Sequence, residues 1–231
     1  MPSRSSSLFP PAKYDFDRHI DRQETASQKW LKYHGQDILP MWVADTDFMS
    51  PPAVIQALHQ RIDHGVFGYT LVPDELTETV VQRMAERYQW TVDPDWLVWL
   101  PGLVCGLHLA CRATGDSGTA VVAPKPIYPP FMSAPGLSDR QLIQVPMKQQ
   151  DERWLLDFDA LERAITPQTR LILFCNPQNP GGSCYRPEEL QRLVEICERH
   201  DLFLCSDEIH CDLVLEPGVK HIPVASLNEL A

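Results

Sequence analysis

From about Ile38 onward the apolar positions alternate between helical and strand-like spacing. Ser50-Pro51-Pro52 reads as a helix start, with Ser50 as cap and the prolines in the first turn, and Val54, Ile55, Leu58 and Ile62 then share one face. A second helix begins at Asp74 and carries Leu76, Val80, Val81, Met84 and Tyr88 at helical intervals; the loop His64-Gly65-Val66-Phe67-Gly68-Tyr69-Thr70 separates the two. Trp96 to Leu100 reads as a short buried strand, followed by a turn at Pro101-Gly102 and a helix from about Leu103 to Ala113, stopped by Gly115. Thr119 to Ala123 is a strand that Pro124-Lys125-Pro126 breaks. A short helix follows Tyr128, then a strand from Gln141 to Val145. Asp157 caps a helix with Phe158, Leu161 and Ile165 on its inner side, and Arg170 to Cys175 is a strand. The clearest helix runs from Pro187 to His200: proline and two glutamates open it, Leu190, Leu193, Val194 and Cys197 face inward, and Arg199 and His200 close it in keeping with the helix dipole. Leu202 to Cys205 is a further strand.

Strand and helix in alternation at these lengths predict an α/β domain with a mostly parallel sheet. Ligands in such sheets sit beyond the C-terminal ends of the strands. That rule singles out Pro101-Gly102, Asn176 to Gly182, and Ser206 to His210.

The 231 residues suffice for one large domain or two small ones, and 44% hydrophobic with 22% charged residues is a globular composition. A formal charge of −11 repels phosphate backbones and argues against a nucleic-acid partner. No apolar run is long enough to cross a bilayer, and Met1 to Pro11 is rich in Ser and Pro without an apolar stretch of signal-peptide length, so a mobile arm and a cytoplasmic location are expected. The seven cysteines (Cys105, Cys111, Cys175, Cys184, Cys197, Cys205 and Cys211) are odd in number and form no Cys-x-x-Cys pair, which reads as a reduced chain with buried thiols.

Each strand end offers chemistry and a blander alternative. Pro101-Gly102-Leu103-Val104-Cys105-Gly106 joins a strand to a helix N-terminus, whose free N–H groups suit an anion; it also suits a plain tight turn. Asn176-Pro177-Gln178-Asn179-Pro180-Gly181-Gly182 can present an amide to a phenolate oxygen, or can simply be a turn-rich connection. Ser206-Asp207-Glu208-Ile209-His210 places a carboxylate where burial is costly unless a cation such as a protonated pyridine pairs with it; the alternative is an Asp capping the next segment. Cys205, His210, Cys211 and His221 are all able to ligate zinc, but Cys205 is on a buried strand and the spacing fits no common zinc module, so no metal is expected. No Gly-x-Ser-x-Gly elbow supports a hydrolase.

Together these strand ends resemble the cofactor frame of the fold-type-I pyridoxal-phosphate (PLP) enzymes, the aspartate aminotransferase superfamily. Leu39 to Phe48 (LPMWVADTDF) is similar to a signature of its cystathionine β-lyase/C–S lyase branch, as are His64 to Thr70 (HGVFGYT), Tyr128-Pro129-Pro130-Phe131 and Ser206 to Leu213 (SDEIHCDL). The likeness runs from about Tyr14 to Leu227. It implies an N-terminal arm and the start of a small-domain region over 1–48, and a PLP-binding large domain over 49–231 that is incomplete.

The resemblance further implies that Asp207 pairs with the pyridine nitrogen, with His210 supporting it. Asn179 bonds the ring's phenolate oxygen, Tyr128 stacks on the ring, and Val104 and Cys105 offer N–H groups to the phosphate. Val43 and Ala44 lie beside the substrate carboxylate, and Tyr69 reaches the phosphate of the neighbouring subunit in a homodimer. Gly181-Gly182-Ser183 stands where the family usually has Thr-Gly-Arg, which is expected to loosen that loop while sparing Asn179. The family's Schiff-base lysine lies in a Ser-x-x-Lys-type segment soon after SDEIH. None of Lys13, Lys29, Lys32, Lys125, Lys148 and Lys220 lies in such a segment. The resemblance therefore implies a chain cut short before that lysine, inactive alone and with an exposed sheet edge. The whole protein would eliminate the thiol from cystathionine or another cysteine S-conjugate, giving pyruvate and ammonia. An aminotransferase on the same frame and a non-catalytic remnant are the alternatives.

Overall fold

A computed structural model describes residues 14–227; the expected arm at Met1 to Pro11 lies outside the described residues. The chain divides into two compact units, 1–71 and 72–231. In the first, α1 (Gln28–Leu31) and α2 (Pro52–His64) are joined by irregular chain. Its polar hub is Asp47, which receives Lys29 Nζ at 2.7 Å, Arg22 Nη1 at 2.7 Å and Trp30 Nε1 at 2.9 Å. The Lys29 hydrogen bond, with Trp30 and Arg22 behind it, holds the Asp47 carboxyl well below the usual carboxylate range.

Ser50 does not cap α2. Pro51 occupies the cap position and no side chain bonds the first turn. The residue before a proline is forced toward an extended backbone, and Pro51, ahead of Pro52, has ψ 139°, so the helix cannot start earlier. The predicted apolar face is present but uncovered: Val54, Leu58 and Ile62 are all exposed.

The second unit opens with α3 (Asp74–Tyr88), whose stripe of Val80, Val81, Met84 and Tyr88 is half-buried and whose Leu76 is exposed. The expected strand at Trp96 to Leu100 is absent. Pro94–Trp96 forms a 3₁₀ turn capped by the Asp93 carboxylate, which accepts the Asp95 N–H at 2.9 Å, and Val98, Trp99 and Leu100 are exposed. The run has strand composition, but no strand among the described residues lies alongside to accept its backbone.

Then follow α4 (Leu103–Ala113), β1 (Ala120–Lys125), α5 (Pro129–Ser133), β2 (Gln141–Gln150), β3 (Arg153–Leu156), α6 (Phe158–Ala164), β4 (Thr169–Cys175), α7 (Pro187–Arg199) and β5 (Phe203–Asp207). The five strands are ordered β3-β2-β1-β4-β5, all parallel except the β2–β3 hairpin. The structure is thus an α/β fold on a mostly parallel sheet. Two details differ from expectation. β1 continues through Pro124, which aligns with Val145, and the break comes at Pro126. β2 runs on to Gln150 because Asp151 and Glu152, both at positive φ, make the two-residue turn that fits a hairpin.

Side chains alternate across the sheet. Val121, Ala123, Leu171, Leu173 and Cys175 point to one face and pack with Leu107 and Cys111 of α4 and Phe131 of α5. Val122, Ile172 and Phe174 point to the other face and pack with Leu161 of α6 and Leu190, Leu193 and Ile196 of α7. Asp157 caps α6 as predicted, accepting the Ala160 N–H.

Arg140 fixes the direction of α4. It is 4% exposed and its guanidinium donates to the carbonyls of Cys111 and Gly115 at the end of α4 and of Thr119 and Ala120 at the start of β1. The C-terminus of α4 therefore lies at the N-terminal edge of the sheet. Its N-terminus, about 16 Å away at 1.5 Å per residue, lies at the opposite edge, where the parallel strands end.

Candidate functional site

Three chain segments meet at that edge. β4 ends at Cys175, which is registered against Asp207 at the end of β5, and the Asn176 N–H donates to the Asp207 carbonyl at 3.0 Å. β1, the other neighbour of β4, ends at Lys125 and leads into Tyr128. Gln178 ties the first and third together, its Nε2 donating to the Pro126 carbonyl at 2.9 Å.

Alternation along β5 sends Asp207 to the same face as Cys205, which packs in the α4 cluster. The Asp207 charge also acts on the neighbouring thiols, as a contribution smaller than their burial. Burial, with the Asp207 charge next, pushes Cys205 up to about 11. Burial pushes Cys175 up to about 12, with the Asp207 charge adding to it. Asp207 is half-buried, and its Oδ1 accepts the Ile209 N–H at 3.0 Å. No ion pair involves it among the described residues. His210 is half-buried, and no hydrogen bond joins its ring to Asp207 among the described residues; the Ile209 amide orients that carboxylate instead.

The doubled Asn-Pro resolves into two different jobs. Asn176 is fully buried and its Oδ1 accepts the Tyr185 N–H at 3.0 Å, which fastens the return of the loop. Asn179 is half-buried and its side-chain amide has no hydrogen-bond partner among the described residues, so it is free to meet a ligand. The loop is closed rather than loosened by its glycines. Gln178 Oε1 accepts the Gly181 N–H, the Gln178 carbonyl accepts the Gly182 N–H at 2.7 Å, and the Gln178 N–H donates to the Ser183 carbonyl at 2.9 Å. Glycine is required at 181, because a Cβ there would stand 2.5 Å from Gln178 Oε1 and 2.8 Å from Trp154 Cβ. The Lys125-Pro126, Asn176-Pro177 and Asn179-Pro180 bonds are cis.

Gly102 leads α4, whose first internal bond runs from the Gly106 N–H to the Gly102 carbonyl at 3.3 Å. The N–H groups of Leu103, Val104 and Cys105 have no acceptor among the described residues, Val104 and Cys105 are exposed, and the positive end of the helix dipole sits there. Tyr128, at the cap of α5, is 41% exposed. Val43, Ala44 and Tyr69 belong to the first unit; Val43 is half-buried, Ala44 is exposed and Tyr69 is fully exposed.

The donor set fits PLP. A carboxylate without a cation suits a protonated pyridine, an unpartnered amide on the adjacent strand end suits a phenolate, and free helix-terminal N–H groups suit a phosphate. A cavity of about 640 Å³ lined by Trp90, Phe203, Leu204, Ser206, Glu208 and Val224 contains none of these groups. No group of metal-ligating side chains occurs among the described residues.

Sequence reasoning passed over Arg140, gave Gln178 and Glu208 no role of their own within their segments, and weighed His221 only as a zinc ligand. Glu208 Oε2 lies 2.9 Å from His221 Nε2, and its Oε1 accepts from the Val224 N–H and the Ser206 hydroxyl, each at 2.9 Å. Residues 13 and 16 apart in irregular chain leave no periodic signal.

Comparison with known proteins agrees with this frame. Residues 36–229 match the family described as aminotransferase class I and II. The chain is 39% identical over 220 residues to cystathionine β-lyase PatB of Bacillus subtilis (strain 168), covering 93% of this chain and 57% of that protein. The crystal structure of OvoB superposes with a TM-score of 0.89 at 48% identity, covering 94% of this chain and 57% of the other. Cystalysin from Treponema denticola, whose structure contains a pyridoxal 5′-phosphate cofactor, superposes with a TM-score of 0.88 at 33% identity, over 95% and 57%. The chain thus spans a little over half the length of these relatives.

Proposed function

Because the chain belongs to the aminotransferase class I and II family, we propose that its protein is a PLP-dependent C–S β-lyase, which releases thiol, pyruvate and ammonia from cystathionine or another cysteine S-conjugate. The observation that carries this reading is the half-buried Asp207 carboxylate, without a cation among the described residues, on the strand end registered against Cys175 and beside the loop that bears Asn179. Bound PLP supplies a protonated ring that accepts electron density from the substrate α-carbon.

This chain's residues bind and orient that ring. Asp207 keeps the proton on the pyridine nitrogen, Asn179 donates to the phenolate oxygen, and Tyr128 covers a ring face. The N–H groups of Val104 and Cys105, backed by the α4 dipole, hold the phosphate. His210 stays in the same turn as a neighbour of Asp207. Val43 and Ala44 serve the substrate carboxylate, and Tyr69 serves the phosphate in the neighbouring subunit of a homodimer. Seven free cysteines favour a reducing compartment, in keeping with a cytoplasmic location. No helix among the described residues is long and apolar enough to cross a membrane.

Lyase and aminotransferase share this frame, so Asp207 and Asn179 do not separate them. The MWVAD and HGVFGYT stretches and the likeness to PatB and cystalysin favour the lyase. Product analysis tests the reading. With PLP and L-cystathionine the full-length protein is expected to release free thiol, pyruvate and ammonia without an added keto acid. Amino transfer that depends on a keto acid, with no free thiol, would overturn it.

A further inference from the structure

Asp207 sits on a strand that is held from one side only. β5 pairs with β4, and no strand among the described residues pairs along its other edge. A carboxylate that must meet one ring nitrogen within a few tenths of an ångström needs its backbone fixed from more than one direction.

The missing restraint comes from the next residue. Glu208 is half-buried and points to the side of β5 away from Asp207, with Ser206. Its Oε1 accepts the Ser206 hydroxyl and the Val224 N–H, and its Oε2 meets His221 Nε2, all at 2.9 Å. Val224 opens a 3₁₀ turn, Val224–Leu227, and is itself buried against the α6–α7 core, so the exit of β5 is bolted to packed chain. A carboxylate only accepts hydrogen bonds, so the proton between the pair is on His221 Nε2.

His221 is 6% exposed, and the edge-to-face contact of its ring with Tyr88, 5.6 Å between centroids at 77°, sets the ring plane. Its Nδ1 is buried without a hydrogen-bond partner among the described residues, a cost that an apolar side chain packed in the same place would avoid.

We infer that the Glu208–His221 pair is a positioning clamp for Asp207: it fixes the end of β5 from the far side, so that the Asp207 carboxylate is presented at one place to the pyridine nitrogen. Neither residue touches the cofactor. The clamp rests on the reading of Asp207 as the pyridine partner.

The test uses the PLP-loaded full-length protein with Glu208→Gln and His221→Phe, and Asp207→Asn for reference. Glu208→Gln keeps an oxygen for Val224 and Ser206 but loses the charge that His221 faces. His221→Phe keeps the packing on Tyr88 and removes the bond. In both, the Kd for PLP is expected to rise about tenfold, the equivalent of one charge-assisted hydrogen bond. The absorption maximum of the bound cofactor should move toward that of Asp207→Asn, while the melting midpoint of the cofactor-free protein stays near that of the parent. Glu208→Asp, one methylene shorter but still charged, is expected to recover part of the affinity. A Kd within twofold of the parent and an unmoved absorption maximum, in folded Glu208→Gln and His221→Phe alike, would overturn the clamp alone. A parent protein that binds no PLP would instead overturn the proposed function and the clamp with it.

Discussion

In the full-length protein, Asp207→Asn is expected to lower kcat/KM for the proposed thiol release by about 10²- to 10³-fold while PLP still binds. The asparagine keeps an oxygen for the Ile209 N–H, which Asp207 Oδ1 accepts at 3.0 Å, so the turn after β5 survives and the change isolates the charge. Breaking a buried charge pair costs about 3–5 kcal/mol, and each 1.36 kcal/mol is tenfold in rate; the half-buried position of Asp207 places the effect at the lower end. A neutral amide cannot hold a proton on the pyridine nitrogen, so the loss falls on the step in which the ring accepts electron density. The N–H groups of Val104 and Cys105 are untouched, so the Kd for PLP should rise far less than kcat/KM falls. Steady-state kinetics and a cofactor titration on the same variant measure both. Equal losses in binding and turnover would mean that Asp207 acts as a structural anchor.

Arg140→Ala is expected to cost about 3–5 kcal/mol of folding stability, enough to bring a domain of ordinary stability near unfolding. The reason is local. Arg140 is 4% exposed and donates to the carbonyls of Cys111, Gly115, Thr119 and Ala120. Burial pulls its guanidinium below its ordinary pKa, as expected of a cation held by carbonyls rather than by a carboxylate. Each carbonyl left buried and unpaired costs about 1–3 kcal/mol, and neighbouring losses do not add in full. Arg140→Lys should fall between, because an ammonium has three donors but no planar fork. Urea unfolding followed by circular dichroism gives the midpoints, and a shift in Arg140→Ala worth less than about 0.5 kcal/mol, the size of an ordinary surface change, would contradict this account. The consequence for function is direct, because the same bonds aim the N-terminus of α4 at the edge where β4 and β5 end.

What the sequence made legible was what repeats along the chain or sits at a fixed offset. The helical spacing of Leu190, Leu193, Val194 and Cys197 and the cap at Asp157 both hold in the structure. The strand-end rule led to Asn179 and Asp207, which the β4–β5 register brings to one edge. It failed where burial depends on a partner far along the chain. Val54, Leu58 and Ile62 have the period of a packed helix and are exposed, and Trp96 to Leu100 has strand composition and no strand beside it among the described residues. Glycines at 181 and 182 read as slack, but the hydrogen bonds that Gln178 makes within the loop, and the bond from the Trp154 N–H to the Ser183 hydroxyl, make it tight. The contacts of Arg140, Glu208 and His221 were invisible in the sequence, since their partners are set by the fold and not by spacing.

The central claim is that Asp207 keeps the pyridine nitrogen of PLP protonated. Nitrogen-15 NMR of the full-length protein reconstituted with ring-labelled PLP tests it most directly. A pyridinium resonance near neutral pH that reverts to the neutral-pyridine position in Asp207→Asn is the predicted result. A neutral pyridine in the parent protein, or a pyridinium that persists unchanged in Asp207→Asn, would contradict it.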